Sequence, residues 1–178
     1  MGAAQGLKAL RRLAVVAAFA AATATAADPA KPVVEIYMPV PCLACIDWGA
    51  YLADNGFRVT YRETADMAAV KKRLKVPKDV ESVHTAVVAG YFVEGHAYAE
   101  DIHELLRDKP RALGIAVPGL PIGAPGREFS SPTCETACTT LDNTTGERPA
   151  KRELFNTLLV KPDGSTSIWA RHCPGACP

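Results

Sequence analysis

Apolar residues along the first part of this chain recur with periods that alternate between strand and helix. The apolar run from Val33 to Tyr37 is typical of a buried strand, and Phe57 to Arg62 alternates as a half-buried strand does. Between them, Ile46 to Leu52 continues an amphipathic helix that Asn55-Gly56 ends, with the glycine as its left-handed C-terminal residue. Ala65 to Leu74 repeats helical spacing. The pattern predicts the order β-α-β-α.

The second part of the chain adds two hairpins and a helix. Two β-rich runs separated by a glycine-containing pair predict an antiparallel hairpin, a helix follows it, and another hairpin closes the domain. These elements span Val83 to Val88, Tyr91 to His96, Ala99 to Arg107, Leu154 to Val160 and Ser165 to Ala170. The order predicts an α/β protein, a thioredoxin-like mixed sheet covered by helices, with a C-terminal β-hairpin extension.

A proline- and glycine-rich stretch separates the last predicted helix from the closing hairpin. Val117 to Gly126 contains three prolines and three glycines in ten residues. Fixed φ at each proline and a permissive backbone at each glycine predict an irregular surface loop, which can frame a site.

The first 26 residues have the pattern of a secretory signal peptide. A basic start precedes the apolar run Leu13 to Ala22, and Ala24-Thr25-Ala26 offers small residues for cleavage. The run is too short and too alanine-rich for a stable membrane span. We therefore predict export to the periplasm by the Sec route, with no membrane span after signal removal. The predicted segments are the signal peptide at 1–26, a leader at 27–32, one folded domain at 33–170 and a cysteine-containing tail at 171–178.

The balance of charged residues after the signal argues against nucleic acid as a partner. Removing the signal takes away three basic residues and leaves 17 basic against 19 acidic ones. Nucleic-acid binding needs a basic face, which this balance does not provide. The sequence also offers no acid–base pair or nucleophile triad, so hydrolytic catalysis has no support, and we predict a binding protein rather than an enzyme.

Six cysteines follow the signal, and their spacing is the strongest chemical feature of the chain. An even number in an oxidising compartment makes disulfides the default expectation. Close pairing, however, suits metal ligation or redox chemistry better than long-range crosslinking. The pairs are Cys42 with Cys45, Cys134 with Cys138, and Cys173 with Cys177.

Each cysteine pair allows more than one interpretation. Cys42 and Cys45 open a predicted helix, where the helix dipole favours thiolates for a metal or for disulfide exchange. If the chain is helical around Cys134 and Cys138, both thiols lie on one face and can bind one ion. The tail pair suits either a disulfide or a flexible metal-binding segment.

Several short motifs, in this order and spacing, resemble the CopG-like copper-resistance proteins, a metal-binding family. The resemblance runs from Val33 to about Gly126 and over the last hairpin. It implies an exported thioredoxin-like domain that binds copper through thiolates and takes part in copper tolerance. The motifs are Cys42-Leu43-Ala44-Cys45, Asn55-Gly56-Phe57, Met67-Ala68-Ala69-Val70-Lys71, Val83 to Val88, Gly90-Tyr91, Glu94-Gly95-His96 and Val117 to Gly126.

This chain departs from the family pattern at two places. The family has Cys-Gly-Cys-Cys where this chain has Cys42-Leu43-Ala44-Cys45, so one thiol is missing. The family's Gly-Met-Pro and Pro-Gly-Met correspond to Gly119-Leu120-Pro121 and Pro125-Gly126-Arg127, so both methionines are missing. The two additional cysteine pairs are candidates to replace these ligands.

His84 favours metal binding over disulfide exchange. Thioredoxin-like oxidoreductases place a cis-proline before the strand that faces the cysteine pair, and that proline keeps metals away from the thiols. Here the corresponding position is His84, followed by Thr85. An imidazole in that place would be a borderline-soft ligand, and thiolate-rich sites favour Cu(I) or zinc. We predict copper, as Cu(I), with zinc as the second choice.

The sequence therefore predicts an exported copper-binding protein that sequesters, delivers or redox-handles copper, with other periplasmic copper-handling proteins as further partners. Two alternatives stay open. One is a thiol–disulfide oxidoreductase with Cys42 as nucleophile and Cys45 as resolving thiol. The other is a structural domain stabilised by three short-range disulfides. The predicted metal ligands are Cys42, Cys45, Cys134, Cys138 and His84, with His96, Cys173 and Cys177 as further candidates.

Overall fold

The computed structural model of the protein describes residues 31–127 and 153–175. The predicted signal peptide and most of the leader lie outside these residues and stay predictions. Within the described part, the chain forms seven strands and three α-helices. In chain order they are β1 Val33–Met38, α1 Leu43–Asp54, β2 Arg58–Glu63, α2 Met67–Leu74, β3 Thr85–Val88, β4 Tyr91–Glu94, α3 Ala99–Asp108, β5 Gly114–Ala116, β6 Phe155–Val160 and β7 Thr166–His172.

The strands form one mixed sheet in the order β2-β1-β3-β4-β5-β6-β7. β1 runs parallel to β2 and β4 runs parallel to β5, whereas the other neighbouring pairs are antiparallel. The predicted mixed α/β class is confirmed. β5 was not predicted, because a buried three-residue strand shows neither alternation nor length.

Apolar side chains pack on both faces of the sheet. The larger cluster joins Trp48 and Leu52 of α1 to Ile102 and Leu105 of α3, and the smaller one contains Val76 and Phe92. Successive strand residues point to opposite faces, which is why Phe92 and its neighbour Val93 belong to different clusters. Helices α1 and α3 therefore cover one face together.

The segment that follows β5 is packed into the protein and is not the predicted surface loop. Val117 and Ala124 are buried, and so is Arg127 at the end of the segment. A Cβ on Gly126 would lie only 2.7 Å from the backbone nitrogen of Trp48, so the segment touches the backbone of α1. The small side chains that suggested a surface loop allow this close approach instead.

The last two strands are tied to α3 by a buried polar cluster. The Thr157 hydroxyl donates to Oδ2 of Asp101 at 2.5 Å, and Nε2 of His172 lies 2.9 Å from the same oxygen. The His172 ring also packs against Tyr98 and Phe155, with ring centroids 4.4 and 4.8 Å away. These contacts fix β6 and β7 against the helix layer.

Candidate functional site

Strand directions bring the chemically important residues to one end of the sheet, which we call the cysteine end. β1, β4, β5 and β7 finish at this end, and β3 and β6 start there. The residues just beyond these strand ends therefore lie in one region of the protein. They are Cys42 and Cys45 after β1, His84 before β3, His96 after β4, Glu153 before β6, and Cys173 after β7. Arg127 lies farther along the chain after β5, and the contact of its neighbour Gly126 with the backbone of α1 brings it to the same region.

Cys42 and Cys45 form a disulfide in this structure. Cys42 occupies the N-cap position of α1, and Cys45 follows in the first turn. Both residues are buried, with 3% and 0% of their surface exposed. A disulfide has no thiolate to offer a metal, so the prediction that these residues bind metal applies to the reduced protein and stays a prediction.

Trp48 connects the helix of the cysteines to two buried histidines. It lies one turn after Cys45 in α1, and its indole Nε1 donates to the carbonyl oxygen of Ala97 at 2.9 Å. Its ring centroid lies 4.6 Å from that of His84 and 6.2 Å from that of His96. The two imidazoles lie 4.7 Å apart, edge to face. His84 and His96 are therefore neighbours in the core beside α1.

The ring nitrogens of these histidines have few hydrogen bonds. Nδ1 of His96 lies 2.7 Å from the carbonyl oxygen of Pro125. A carbonyl only accepts, so Nδ1 carries the hydrogen and Nε2 keeps a lone pair. Within residues 31–127 and 153–175, that Nε2 and both ring nitrogens of His84 have no hydrogen-bond partner. A buried, unpartnered imine nitrogen is costly for folding, but it is what a metal ligand requires.

Both histidines are neutral at physiological pH. Burial lowers the pKa of His84 well below its ordinary value, and repulsion from His96 and Lys71 acts in the same direction. A weak backbone interaction with Gly95 opposes this shift, but its geometry falls short of a full hydrogen bond to the ring. Burial likewise lowers the pKa of His96 to about 4, against the effect of its bond to Pro125. Neutral imidazoles are the form that binds metals.

A buried ion pair lies near His84, and no local sequence pattern indicates it. Nζ of Lys71 pairs with Oε1 of Glu94 and also donates to the Thr85 hydroxyl at 3.0 Å. The Glu94 carboxylate accepts further hydrogen bonds from Thr85 and from the backbone of Ser82. Burial raises the pKa of Glu94, although Lys71 opposes that shift. The positive charge of Lys71 is thus balanced by an adjacent carboxylate.

Arg127 is a second residue that sequence reasoning missed. Only 4% of it is exposed, and its Nε and Nη1 atoms have no hydrogen-bond partner in the part of the chain that the structure describes. Burial lowers its pKa, while the carboxylate of Glu153 opposes that shift. The carbonyl oxygen of Pro125, two residues before Arg127, lies 2.7 Å from Nδ1 of His96, so this segment borders the histidine pair, and the charge of Arg127 lowers the pKa of His96. An arginine that ends an apolar, glycine-rich segment was the available signal.

The described residues include only part of the predicted ligand set. Among the described residues, no group of three or more His, Cys, Asp or Glu side chains is arranged to hold a metal ion. Cys134, Cys138 and Cys177 lie outside those residues, so their predicted roles stay predictions. Cys173 belongs to the described residues and forms a disulfide. Across the same residues, no helix is both long and apolar enough to cross a membrane.

Comparisons with known proteins point to copper resistance. Residues 80–127 match a family described as a protein of unknown function, DUF411. Two solved structures, called copper resistance protein copG, form 1 and form 2, are each 35% identical to this chain and cover 80% of it. Their TM-scores are 0.65 and 0.66, and the matches span 98% and 99% of those chains. No curated protein matches this chain. The chain belongs to the CopG-like copper-resistance family.

Proposed function

We propose that this chain is a periplasmic copper-binding protein that sequesters, delivers or redox-handles copper in copper tolerance. The proposal includes a thioredoxin-like arrangement of the sheet, with β6 and β7 as a C-terminal hairpin extension, and removal of the signal peptide on export. It also includes Cu(I) as the bound form and periplasmic copper-handling proteins as partners. Its basis is the family together with the residues at the cysteine end.

The observation that carries the proposal is a cysteine pair connected through Trp48 to two neutral imidazoles, each with a ring nitrogen that lacks a hydrogen-bond partner among the described residues. Cys45 lies one turn before Trp48, and the Trp48 ring packs against the rings of His84 and His96. Thiolate and imidazole are ligands that suit copper, and soft thiolates favour Cu(I). His84 therefore supports the choice of a metal over simple disulfide exchange.

Cys134 and Cys138 are the proposed additional thiolates. The segment from residue 128 to residue 152 leaves the described chain at Arg127 and rejoins it at Glu153, both at the cysteine end. Cys134 is seven residues beyond Arg127, which allows a span of up to about 25 Å for an extended chain. The chain is thus long enough for both thiols to reach Cys42 and Cys45.

Copper binding requires prior reduction of the Cys42–Cys45 disulfide. A thiol reductant supplies two electrons and two protons, which converts the disulfide to two thiols and the reductant to its own disulfide. Cu(I) then binds the two sulfurs and displaces their protons. The oxidised form would not hold copper through these residues, so the thiol redox state would control loading.

A thiol–disulfide oxidoreductase is the second candidate, and the Cys42–Cys45 disulfide is the observation that favours it. Exchange with a protein substrate requires an accessible sulfur, whereas both cysteines are buried. The purely structural alternative draws support from the disulfide at Cys173. This structural alternative gives no role to the ring nitrogens of His84 and His96 that lack hydrogen-bond partners among the described residues.

A competition titration tests the proposal. The reduced, signal-free protein is titrated anaerobically with Cu(I) against a chromophoric Cu(I) chelator. We expect Cys42→Ser to weaken Cu(I) binding by at least about 100-fold, because one of few thiolate ligands is lost, and we expect oxidised wild type to behave similarly. Unchanged affinity in Cys42→Ser would refute the proposal. Insulin reduction that depends on Cys42 would then favour the oxidoreductase.

A further inference from the structure

We propose that Arg127 is the specificity-determining residue that makes this site prefer Cu(I) to zinc. The inference rests on the proposed copper-binding function and goes beyond it, because it assigns a role to a residue that is not a metal ligand. The basis is a buried positive charge that forms no ion pair among the described residues, near a site whose net charge depends on which metal is bound.

The guanidinium of Arg127 lacks the partners that a buried cation requires. Arginine stays charged in proteins and presents five N–H donors, and a buried charge is normally paired. Arg127 is 4% exposed, yet its Nε and Nη1 have no hydrogen-bond partner and it forms no ion pair among residues 31–127 and 153–175. Such an arrangement is suited to receive an anionic ligand.

Arg127 is also close to the cysteines. The residue before it, Gly126, packs on α1, where an added Cβ would lie 2.7 Å from the Trp48 nitrogen and 3.1 Å from the Ala44 carbonyl oxygen. Ala44 lies between the two cysteines in sequence. The charge of Arg127 also acts on His96, whose ring packs against that of Trp48. The same turn of helix is therefore contacted by the segment that carries Arg127.

No described residue forms an ion pair with Arg127, although the carboxylate of Glu153 attracts it. The positive charge of Lys71 is used by its ion pair with Glu94, and His96 is neutral. The carboxylate of Glu153 accepts a hydrogen bond from the Ile122 backbone at 3.1 Å and belongs to an exposed residue. Among residues 31–127 and 153–175, Glu153 thus attracts Arg127 without forming an ion pair with it, and an anionic ligand would bring a closer counter-charge.

Metal charge determines how much negative charge the site carries. Two thiolates with Cu(I) have a net charge of −1, whereas two thiolates with Zn(II) are neutral. Each further thiolate adds one negative charge to both complexes, so the Cu(I) form stays one unit more negative. A fixed positive charge near the site therefore stabilises the Cu(I) complex more than the Zn(II) complex.

The test compares the affinities of two metals in the same protein preparations. Reduced wild type, Arg127→Gln and Arg127→Lys are titrated with Cu(I) and with Zn(II) against chelators of known affinity. We expect Arg127→Gln to lower the ratio of Cu(I) to Zn(II) affinity by at least about tenfold, because one unit of charge is removed at short range in an effective dielectric near 20. Arg127→Lys keeps the charge and should keep most of the ratio.

Controls separate the inference from folding and from the proposed function. Arg58→Gln removes an exposed arginine and should leave the ratio unchanged. A partly unfolded variant would lose both affinities together, so equal weakening for the two metals would overturn the inference and indicate a structural role. An unchanged ratio in Arg127→Gln would also overturn it. If wild type fails to bind Cu(I), the proposed function itself fails.

Discussion

His96 illustrates how a single residue links burial to a possible ligand role. Its Nδ1 hydrogen bond to Pro125 fixes the tautomer, and its Nε2 lone pair remains buried and unpartnered within the described chain. A carbonyl that fixes the second nitrogen is the usual outer partner of a metal-binding histidine. The same burial makes protonation of His96 unfavourable in the folded protein. Acid should therefore lower the stability of the metal-free protein.

We predict that His96 makes the metal-free protein lose stability as pH falls from 6.5 towards 4. Its pKa is about 4 when folded and 6.5 ordinarily, so the unfolded chain binds the proton more readily in this window. Stability present above pH 6.5 is therefore lost on acidification, by about 3 kcal/mol at about 1.4 kcal/mol per pKa unit. Urea denaturation at pH 7, 5.5 and 4 measures this loss.

His96→Asn is the informative variant for this prediction, because its amide can donate to Pro125 without titrating. It should reduce the loss of unfolding free energy between pH 7 and pH 4 by roughly 2–3 kcal/mol. Glu94 has a raised pKa and contributes the opposite slope, but it is present in both proteins and cancels. The exposed His103 serves as control through His103→Gln. Parallel pH profiles for wild type and His96→Asn would contradict the prediction.

Sequence reasoning identified some site residues and missed others for a physical reason. Cys42 and His84 were found because their positions relative to predicted elements, a helix start and a strand start, are local properties of the chain. Arg127 and the pair of Lys71 with Glu94 were missed because their roles depend on contacts between distant segments. Local spacing cannot show that a charged side chain is buried without a partner.

At the scale of elements, the segment after β5 packs against α1 beside the cysteine pair. Gly126 has a φ of +75° and touches the backbone of α1, whereas Gly119 has a φ of +69° and nothing within 4 Å of an added Cβ. The two glycines share the left-handed backbone, but only one makes a close approach to the helix. They provide a matched pair for measuring that packing.

We predict that Gly126→Ala destabilises the protein more than Gly119→Ala. Left-handed backbone strain should cost each variant about 1 kcal/mol, and the clash with Trp48 should raise the loss for Gly126→Ala to about 2–4 kcal/mol. Urea denaturation of the reduced and oxidised proteins gives both values. Equal losses in unfolding free energy would mean that the segment does not pack tightly on α1.

Helices and longer strands could be predicted from hydrophobic periodicity, but the packing of the connecting segment could not. α1, α2 and α3 were located to within a few residues, because their apolar spacing and glycine or proline ends are local signals. The segment from Val117 was predicted to be exposed from its composition. Small residues serve equally for a surface turn and for close packing, and only the tertiary structure distinguishes them.

At the scale of the whole molecule, the topology of the sheet brings the candidate site residues together. The alternation of strand directions places Cys42, His84 and His96 at one end of the sheet, although 54 positions separate the first from the last in the sequence. The packing of Gly126 on α1 brings Arg127 to the same end. The mixed α/β class was predictable from the order of elements. It was not predictable that the site residues share one end of the sheet, because this depends on strand order and on parallel or antiparallel pairing.

The most direct test of the central claim is X-ray absorption at the copper edge. The reduced protein is loaded with one equivalent of Cu(I), and its spectrum is compared with that of the Cys42→Ser/Cys45→Ser variant loaded in the same way. We predict a shell of directly bonded sulfur in wild type that loses most of its amplitude in the variant. A sulfur shell of unchanged amplitude in the variant, or a wild-type shell of nitrogen and oxygen only, would contradict the thiolate site.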